Sequence, residues 1–371
     1  MREIPFYDAE REYVQLRHEV LPAIDEVLAS GPVLQGQAVV ELEREVAGLA
    51  GRRHGIAVNS CTDALYFALL ALGLGPDDEV LVTDFSFVAS ASCILRCGAT
   101  PLFVDIHPAT FNMDLEVAER LVTSRTRAVI SVHLFGQMSD PAAAEAFAQQ
   151  HDLVVIEDAA QALGASFAGR PAGSVGQASC LSFDPFKTIS APGSGGMVLT
   201  DEDEVAERVR LLRYHGRTAD RTVESLGFNS QMSTLVAAVL GIKLRHNAEW
   251  IRRRRKIAGR YSEALQGSDH LTVPAVLPDA EHVFQKYVVA TPHRDALRDH
   301  LAGWGVETMV QYPAPLHRHR VFASGKPVRA PNAEDAATRV LSLPVHAFLS
   351  DDEVEAVAEA VLAFPRQRVC G

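Results

Sequence analysis

The stretch "SFDPFKTISAPGSGGMVLT", residues 182–200, contains the first lysine of the chain and a cluster of glycines. Lys187 lies between the bulky apolar residues Phe186 and Ile189 in a chain with 30 arginines and only five lysines. Arginine keeps its proton and cannot form an imine, whereas lysine can lose the proton and form one. Lys187 is therefore either a solvated surface lysine or a nucleophile whose pKa apolar neighbours lower from ~10.4 to about 7–8.

Short apolar runs on both sides of Lys187 predict the fold. They are separated by longer stretches with helical spacing, and several stretches end at glycine. Runs that are apolar throughout predict a parallel sheet covered by helices on both faces, which is the α/β class. The seven runs are residues 56–58, 79–82, 101–106, 128–132, 153–158, 180–183 and 196–200.

The pattern changes in the last third of the chain. A long helical stretch is predicted over residues 234–265, followed by a strand in "HVFQKYVVAT" (282–291) and a serine-capped closing helix in "SDDEVEAVAEAVLAF" (350–364). We therefore expect a large domain with an N-terminal arm over residues 1–245 and a small α+β domain over residues 246–371.

Composition narrows the classes of partner. A net charge of −12 argues against nucleic acid or an anionic membrane as the main partner. The run "RRRRK" (252–256) is the one dense basic patch, and its helical spacing predicts a solvated helix face. No apolar run reaches the length of a membrane span, and the N-terminal stretch lacks the apolar core of a signal peptide.

The five cysteines predict a reduced, cytoplasmic setting. Their count is odd and their spacing irregular, which is not typical of a disulfide framework. Cys93 and Cys97 share a predicted helix face without a neighbouring histidine or cysteine motif, so we expect packing rather than metal binding. The others are Cys61, Cys180 and Cys370.

Polar side chains follow several of the predicted strands. In open α/β sheets, ligands bind beyond the carboxyl ends of the strands, so these side chains are expected to gather at one site. They are Asn59, Asp84, His133, Asp158 and Ser182.

Asp158 ends the run 153–158 and has two interpretations. It can cap the helix that follows, or it can be a buried carboxylate paired with a cationic nitrogen. A carboxylate of the second kind keeps a pyridine nitrogen protonated. Together with an imine-forming lysine, it supplies the two protein groups that pyridoxal phosphate (PLP) chemistry requires.

The stretch "IAVNSCTDAL" (56–65) predicts a strand, a turn and a helix. Ser60 and Thr62 would lie where a helix N-terminus offers free N–H groups to a phosphate, with Ser182 as a further donor. Simple helix capping is the alternative for Thr62. Phe87, after the second strand, is either a core residue or a side chain that stacks on a flat ring.

Six motifs in this order resemble the DegT/DnrJ/StrS sugar aminotransferases, which are PLP enzymes of fold type I, similar to aspartate aminotransferase. The resemblance covers nearly the whole chain and implies a mostly parallel seven-stranded sheet with a smaller C-terminal α+β domain. The motifs are "VNSCTDAL" (58–65), "DFSFVAS" (84–90), "VHLFGQ" (132–137), "IEDAAQALGA" (156–165), "SFDPFKTISAPGSGGMV" (182–198) and "LGFNSQMS" (226–233).

The resemblance also implies a role for each matching residue. Lys187 forms the Schiff base with PLP and moves the proton between cofactor and substrate carbons, and Asp158 pairs with the pyridine nitrogen. Asn229 reaches the phosphate of a neighbouring subunit, which implies a homodimer. The remaining matches are Gln161 near the ring hydroxyl, Phe87 against the ring, Thr62, Asp63 (through its backbone), Ser60 and Ser182 around the phosphate, and Tyr312 and His317 near the substrate.

The implied reaction moves an amino group from glutamate or glutamine to a keto sugar attached to a nucleotide. A keto-cyclitol acceptor and a regulatory relative without turnover remain alternatives. Lys187 argues against the dehydratase branch of the family, in which histidine replaces the lysine. Three departures from the family pattern put the usual phosphate and substrate contacts in doubt: Cys61 in place of glycine, Gln231 in place of arginine and Val236 in place of glutamine.

Overall fold

The computed structural model describes residues 3–323 and 327–364. Three short 3₁₀ helices add to the regular elements: Leu134–Gly136, Leu316–Arg318 and Arg320–Phe322. The helices are α1 (Ala9–Ser30), α2 (Gln37–Ala50), α3 (Cys61–Ala71), α4 (Ala89–Arg96), α5 (Leu115–Glu119), α6 (Pro141–His151), α7 (Asp203–Arg213), α8 (Thr234–Leu265), α9 (Arg294–Gly303), α10 (Pro331–Arg339) and α11 (Asp351–Leu362). The strands are β1 (His54–Val58), β2 (Glu79–Thr83), β3 (Thr100–Val104), β4 (Thr126–Val132), β5 (Val154–Asp158), β6 (Ser166–Phe167), β7 (Arg170–Pro171), β8 (Ala178–Ser182), β9 (Gly196–Thr200), β10 (Ala280–Glu281), β11 (Tyr287–Ala290) and β12 (Val340–Leu343).

The seven predicted apolar runs form one seven-stranded sheet in the order β1-β9-β8-β5-β4-β2-β3. Every neighbouring pair is parallel except the two pairs that contain β9, which runs antiparallel to β1 and β8. This confirms the prediction of a mostly parallel seven-stranded sheet. The parallel strands end together at one edge, where the residues that follow them can meet.

Both faces of the sheet are covered. On β1, Ile56 and Val58 pack into a core with α3, α4 and α7, whereas Ala57 packs into a second core with α2, α6 and α8. Successive side chains of a strand point to opposite faces, so a strand buried on both sides is apolar at every position. That is why the runs lack the alternation of a half-exposed strand.

A third core lies in the last part of the chain, where α8, α9 and α11 pack on the antiparallel pair β11–β12. The closing helix begins as predicted, because Ser350 and Glu353 form a reciprocal capping box at the start of α11. Helix α8 runs without interruption through residue 246. The boundary between 245 and 246 therefore falls inside a helix, and the division into domains 1–245 and 246–371 stays a prediction.

The prediction of a solvated face for "RRRRK" is wrong at its centre. Arg254 is only 6% exposed, and its Nη1 donates to the carbonyl of Phe284. Arg252 and Lys256 are exposed. Helix α8 packs in the second and third cores, and a run of five basic residues spans more than one turn, so one of these side chains must point inward.

Four of the five cysteines are free and buried, including Cys93 and Cys97, which pack in the first core. Cys370 lies outside the described residues. Over residues 3–323 and 327–364, no helix is both long and apolar enough to cross a membrane. The same residues contain no group of three or more histidine, cysteine or acidic side chains able to hold a metal ion.

Candidate active site

Asp158 is the last residue of β5, and Glu157 immediately before it faces the other side of the sheet. Glu157 accepts hydrogen bonds from His133 Nε2 (2.8 Å) and from the hydroxyl of Ser179 (2.6 Å). This carboxylate is fully paired and holds the sheet to the loop behind it. Asp158 faces the opposite side and lines a cavity of about 350 Å³.

The carboxylate of Asp158 is held by two donors. Ser90 Oγ donates to Oδ2 at 2.7 Å, and the backbone N–H of Ala160 donates to Oδ1 at 3.2 Å. Ser86 Oγ lies 3.0 Å from Ser90 Oγ and continues the chain of hydroxyls. Burial raises the pKa of Asp158, while these donors and the charge of Lys187 oppose the rise. A cationic partner would therefore find a buried, oriented carboxylate with little water around it.

The turn between β1 and α3 forms one wall of the cavity. Ser60 is the N-cap of α3, and its hydroxyl accepts from the backbone N–H of Asp63 at 3.1 Å. No hydrogen bond among the described residues uses the backbone N–H of Cys61 or Thr62. These two donors, the Thr62 side chain and Ser182 Oγ on β8 all line the same cavity, which fits a phosphate.

Gly196 brings this wall together. A Cβ at this position would lie 2.3 Å from the carbonyl carbon of Ser60 and 2.5 Å from the nitrogen of Cys61. Both are backbone atoms that cannot move away without shifting the start of α3. The glycine that opens β9 therefore lets the antiparallel strand contact the turn that carries the free N–H groups.

Lys187 lies in the loop between β8 and β9. Its backbone N–H donates to the carbonyl of Asp184, and the N–H of Asp184 donates to Ser182 Oγ at 3.3 Å. The side chain lines the cavity and is half-buried. Burial lowers the pKa of Lys187, and the negative charge of Asp158 partly opposes this. The amine is thus biased toward the neutral form that attacks a carbonyl.

Gln161, Tyr312 and Phe87 also line the cavity. Gln161 Oε1 accepts from the backbone N–H of Phe135 (3.0 Å), and its Nε2 donates to the hydroxyl of Tyr312 (3.3 Å). The Phe87 ring is half-exposed and lies 6.3 Å from the Tyr312 ring. This exposed aromatic face on the cavity leaves room for a flat ring beside it.

Several predicted site residues lie away from the cavity lining. The carboxylate of Asp63 pairs with Arg96 and accepts a hydrogen bond from Ser230, and its backbone N–H donates to Ser60 Oγ. Asp63 therefore stabilises the β1–α3 turn. His317 is bonded to Asp84, whose pKa burial raises to about 6. Asn229 is exposed to solvent. Of the five polar residues that follow strands, only Asp158 and Ser182 line the cavity.

The residues present fit PLP. One cavity of about 350 Å³ is lined by a lysine with a lowered pKa, a buried carboxylate and a cluster of hydrogen-bond donors that can bind an anion. A search with family models matches residues 14–362 to the family described as DegT/DnrJ/EryC1/StrS aminotransferase. The chain belongs to this family. Its members are PLP-dependent aminotransferases, which confirms the predicted enzyme class, fold type and cofactor.

Relatives of known name match over nearly their whole length. The pleiotropic regulatory protein of Geobacillus stearothermophilus is 42% identical over 98% of this chain and 99% of its own. The UDP-N-acetyl-3-dehydro-alpha-D-glucosamine 3-aminotransferase of Acidithiobacillus ferrooxidans is 39% identical over 96% of this chain and 97% of its own.

Solved structures agree with the fold. DesV of S. venezuelae superposes with a TM-score of 0.95 at 38% identity, covering 97% of this chain and 98% of DesV. NtdA of Bacillus subtilis, solved with bound pyridoxamine phosphate, superposes with a TM-score of 0.89 at 30% identity, covering 98% of this chain and 85% of NtdA.

The three departures of this aminotransferase from its family pattern leave the cavity intact. Cys61 takes the first helical position of α3, where φ is negative, so the absence of glycine causes no backbone strain. Gln231 accepts from Gln35, and Val236 packs in the second core. Neither Gln231 nor Val236 lines the cavity.

Sequence reasoning missed two residues of the site. Ser90 supplies the side-chain donor to Asp158, and its only signal is its position one helical turn after Ser86. Lys286 brings a second lysine to the cavity from the segment before β11. The rarity of lysine in this chain could have drawn attention to Lys286, because it is the property that drew attention to Lys187.

Proposed function

We propose that this protein transfers an amino group from glutamate or glutamine to a keto sugar attached to a nucleotide. The observation that carries the proposal is the single cavity that Lys187, Asp158 and the free N–H groups of Cys61 and Thr62 line together. The names of the relatives that act on UDP- and dTDP-linked sugars support a nucleotide-linked acceptor.

When PLP is bound, it supplies an electron sink for the removal of a proton from the carbon that bears the amine. Asp158, oriented by Ser90 and the N–H of Ala160, would accept a hydrogen bond from the ring nitrogen and so favour its protonated form. The N–H groups of Cys61 and Thr62, together with Ser182, bind the phosphate. Phe87 and Asp158 at the end of β5 line the same cavity and would hold the ring there.

Lys187 acts as nucleophile and as proton carrier. Burial lowers the pKa of Lys187, which favours the neutral amine, and the neutral amine is the form that accepts a proton. The loop that carries it is fixed on the small-domain side, because Thr188 Oγ1 donates to Gln285 Oε1 at 2.8 Å. The amine is thus positioned rather than free to sample the solvent.

The test uses the purified protein with PLP. Wild type should acquire a visible absorption band, lose it on addition of glutamate or glutamine, and then aminate one member of a panel of UDP- and dTDP-linked keto sugars. Lys187→Ala should have no band. A band that no amino donor discharges, or amination of cyclitols alone, contradicts the proposal.

We also propose a homodimer with shared active sites. Helices α1 and α2 expose apolar side chains that include Val14, Leu21 and Leu28, and the exposed Asn229 is free to reach a second copy. Light scattering should give twice the chain mass. Mixing Lys187→Ala with Asn229→Ala chains should restore activity in hybrid dimers, because each hybrid has one site with both residues. A monomeric active enzyme contradicts the proposal.

Location in the cytoplasm is likewise a proposal. The free, buried thiols of Cys61, Cys93, Cys97 and Cys180 support a reducing compartment. Fractionation of the producing cells, with immunodetection of the protein, tests it; recovery in the membrane or secreted fraction argues against it.

A further inference from the structure

Lys286 is a buried lysine whose amine has no acidic or hydrogen-bonding partner in the part of the chain that the structure describes. The residue is 6% exposed, lies just before β11, and lines the cavity that contains Lys187. Within residues 3–323 and 327–364, its Nζ makes no hydrogen bond or ion pair, and it lies over the ring of Phe6, whose centroid is 4.4 Å away. Nζ is not fully enclosed by protein atoms, and the residue is part of the lining of the cavity.

The charges around Lys286 are of its own sign. Burial, together with the positive charges of Arg254 and Lys187, lowers the pKa of Lys286 to about 7. Arg254 is also buried, donates Nη1 to a carbonyl and leaves Nε without a partner among the described residues. The nearby Glu12 pairs with Lys243 instead. An anion entering this part of the cavity would relieve an uncompensated charge.

The position of Lys286 is fixed relative to the reacting lysine. Its backbone N–H donates to the carbonyl of Phe135 at 3.2 Å, and the preceding residue, Gln285, accepts from Thr188, which follows Lys187. Phe6 covers the amine from the side of the N-terminal segment, which Tyr7 ties to Ser190 at 2.9 Å. The amine is therefore held in place and shielded from solvent on one side.

We propose that Lys286 binds the α-carboxylate of the amino donor. This rests on the proposed function and extends it to a residue for one substrate. In an amino acid, one carbon separates the carboxylate from the amine that would take the place of the Lys187 amine on the cofactor, so both must fit into the same small cavity. The diphosphate of a nucleotide sugar lies a sugar ring away from the reacting carbon, so an amine that lines the same cavity as Lys187 is better placed for the carboxylate of the donor.

The donor half of the reaction tests this without any sugar. The PLP-loaded protein is mixed with L-glutamate, and discharge of the visible band is followed at increasing glutamate concentrations. Lys286→Met should raise the half-saturating concentration about 10- to 150-fold, the effect of losing one hydrogen bond to a charged group, with a smaller change in the limiting rate. Lys286→Arg keeps a positive charge but puts a larger, permanently protonated group in the same enclosed space, so it should recover only part of the lost affinity.

Lys256→Met is the matched control, since Lys256 is an exposed lysine of α8 that contacts Asp351. It should leave glutamate saturation unchanged. PLP affinity and melting temperature, measured on all variants, separate a binding role from a structural one. An unchanged half-saturating concentration in Lys286→Met, or equal losses of glutamate and PLP affinity, overturns the proposal. Wild type that no amino acid discharges overturns the proposed function instead.

Discussion

Replacing Ser90 by alanine removes the one side-chain hydrogen bond that Asp158 receives from the described residues. The donor and acceptor atoms are 2.7 Å apart, both side chains are buried, and alanine leaves no hydroxyl that could rotate into place. The remaining donor is the backbone N–H of Ala160 at 3.2 Å. The ionised form of Asp158 is therefore destabilised, while the protonated form loses much less.

A hydrogen bond to a charged group contributes about 1.5–3 kcal/mol, which is roughly a 10- to 150-fold change in the ratio of ionised to protonated carboxyl. Burial already raises the pKa of Asp158, and Ser90 is the largest opposing contribution. The sign follows directly: a carboxyl whose anion is less stabilised takes up its proton at higher pH. Activity that needs the anion is then lost earlier as the pH falls.

The assay is the rate of the glutamate half-reaction between pH 5 and pH 9. Ser90→Ala should move the acid limb of the profile to higher pH and leave the plateau above it nearly unchanged. Asp158→Asn should lose the plateau itself. Ser92→Ala, on the same helix but without a bond to Asp158, should keep the wild-type profile. An acid limb that does not move in folded, PLP-loaded Ser90→Ala refutes the argument.

Two further outcomes are expected. Gly196→Ala should destabilise the fold by about 1–3 kcal/mol and weaken PLP binding, because the new Cβ would lie 2.3 Å from the backbone of Ser60. Gly241→Ala in α8, where a Cβ would have no atom within 4 Å, should stabilise the fold by about 0.5–1 kcal/mol. Urea denaturation measures both changes. Arg11 lowers the pKa of Glu353 from 4.5 to about 2, so this pair stabilises the fold fully above pH 4.5 and progressively less as the pH falls toward 2. The difference in melting temperature between wild type and Glu353→Gln should therefore shrink over that range. A difference that stays constant contradicts this expectation.

The sheet could be predicted from sequence because its strands are buried on both faces. Each strand is then a continuous apolar run, and all seven runs were identifiable without knowing their order. The direction of β9 could not be predicted, because an antiparallel strand inside a sheet covered on both faces has the same composition as a parallel one. The close contact of Gly196 with the β1–α3 turn is a consequence of that direction.

The site could be predicted only in part, because a residue at a strand end can face either side. Glu157 and Asp158 are adjacent acidic residues, yet one is fully paired with His133 and Ser179 and the other lines the cavity. His133 was expected at the common site and lies on the other face. The sequence does not show which of two adjacent residues points to which face of the sheet until the register of the neighbouring strands is known.

Lysine scarcity was a stronger signal than it first appeared. Of the four lysines that the structure describes, only Lys256 is exposed. Lys243 is buried against Glu12 and Ser190, and Lys187 and Lys286 both line the cavity. A chain that uses arginine for solvated charge keeps lysine where a compact amine must fit in an enclosed space or change its protonation state. By this argument Lys286, like Lys187, is a lysine because of its chemistry. A guanidinium there would keep its proton at every physiological pH, whereas an amine with a pKa of about 7 can be neutral in the free enzyme and take up a proton when a carboxylate binds.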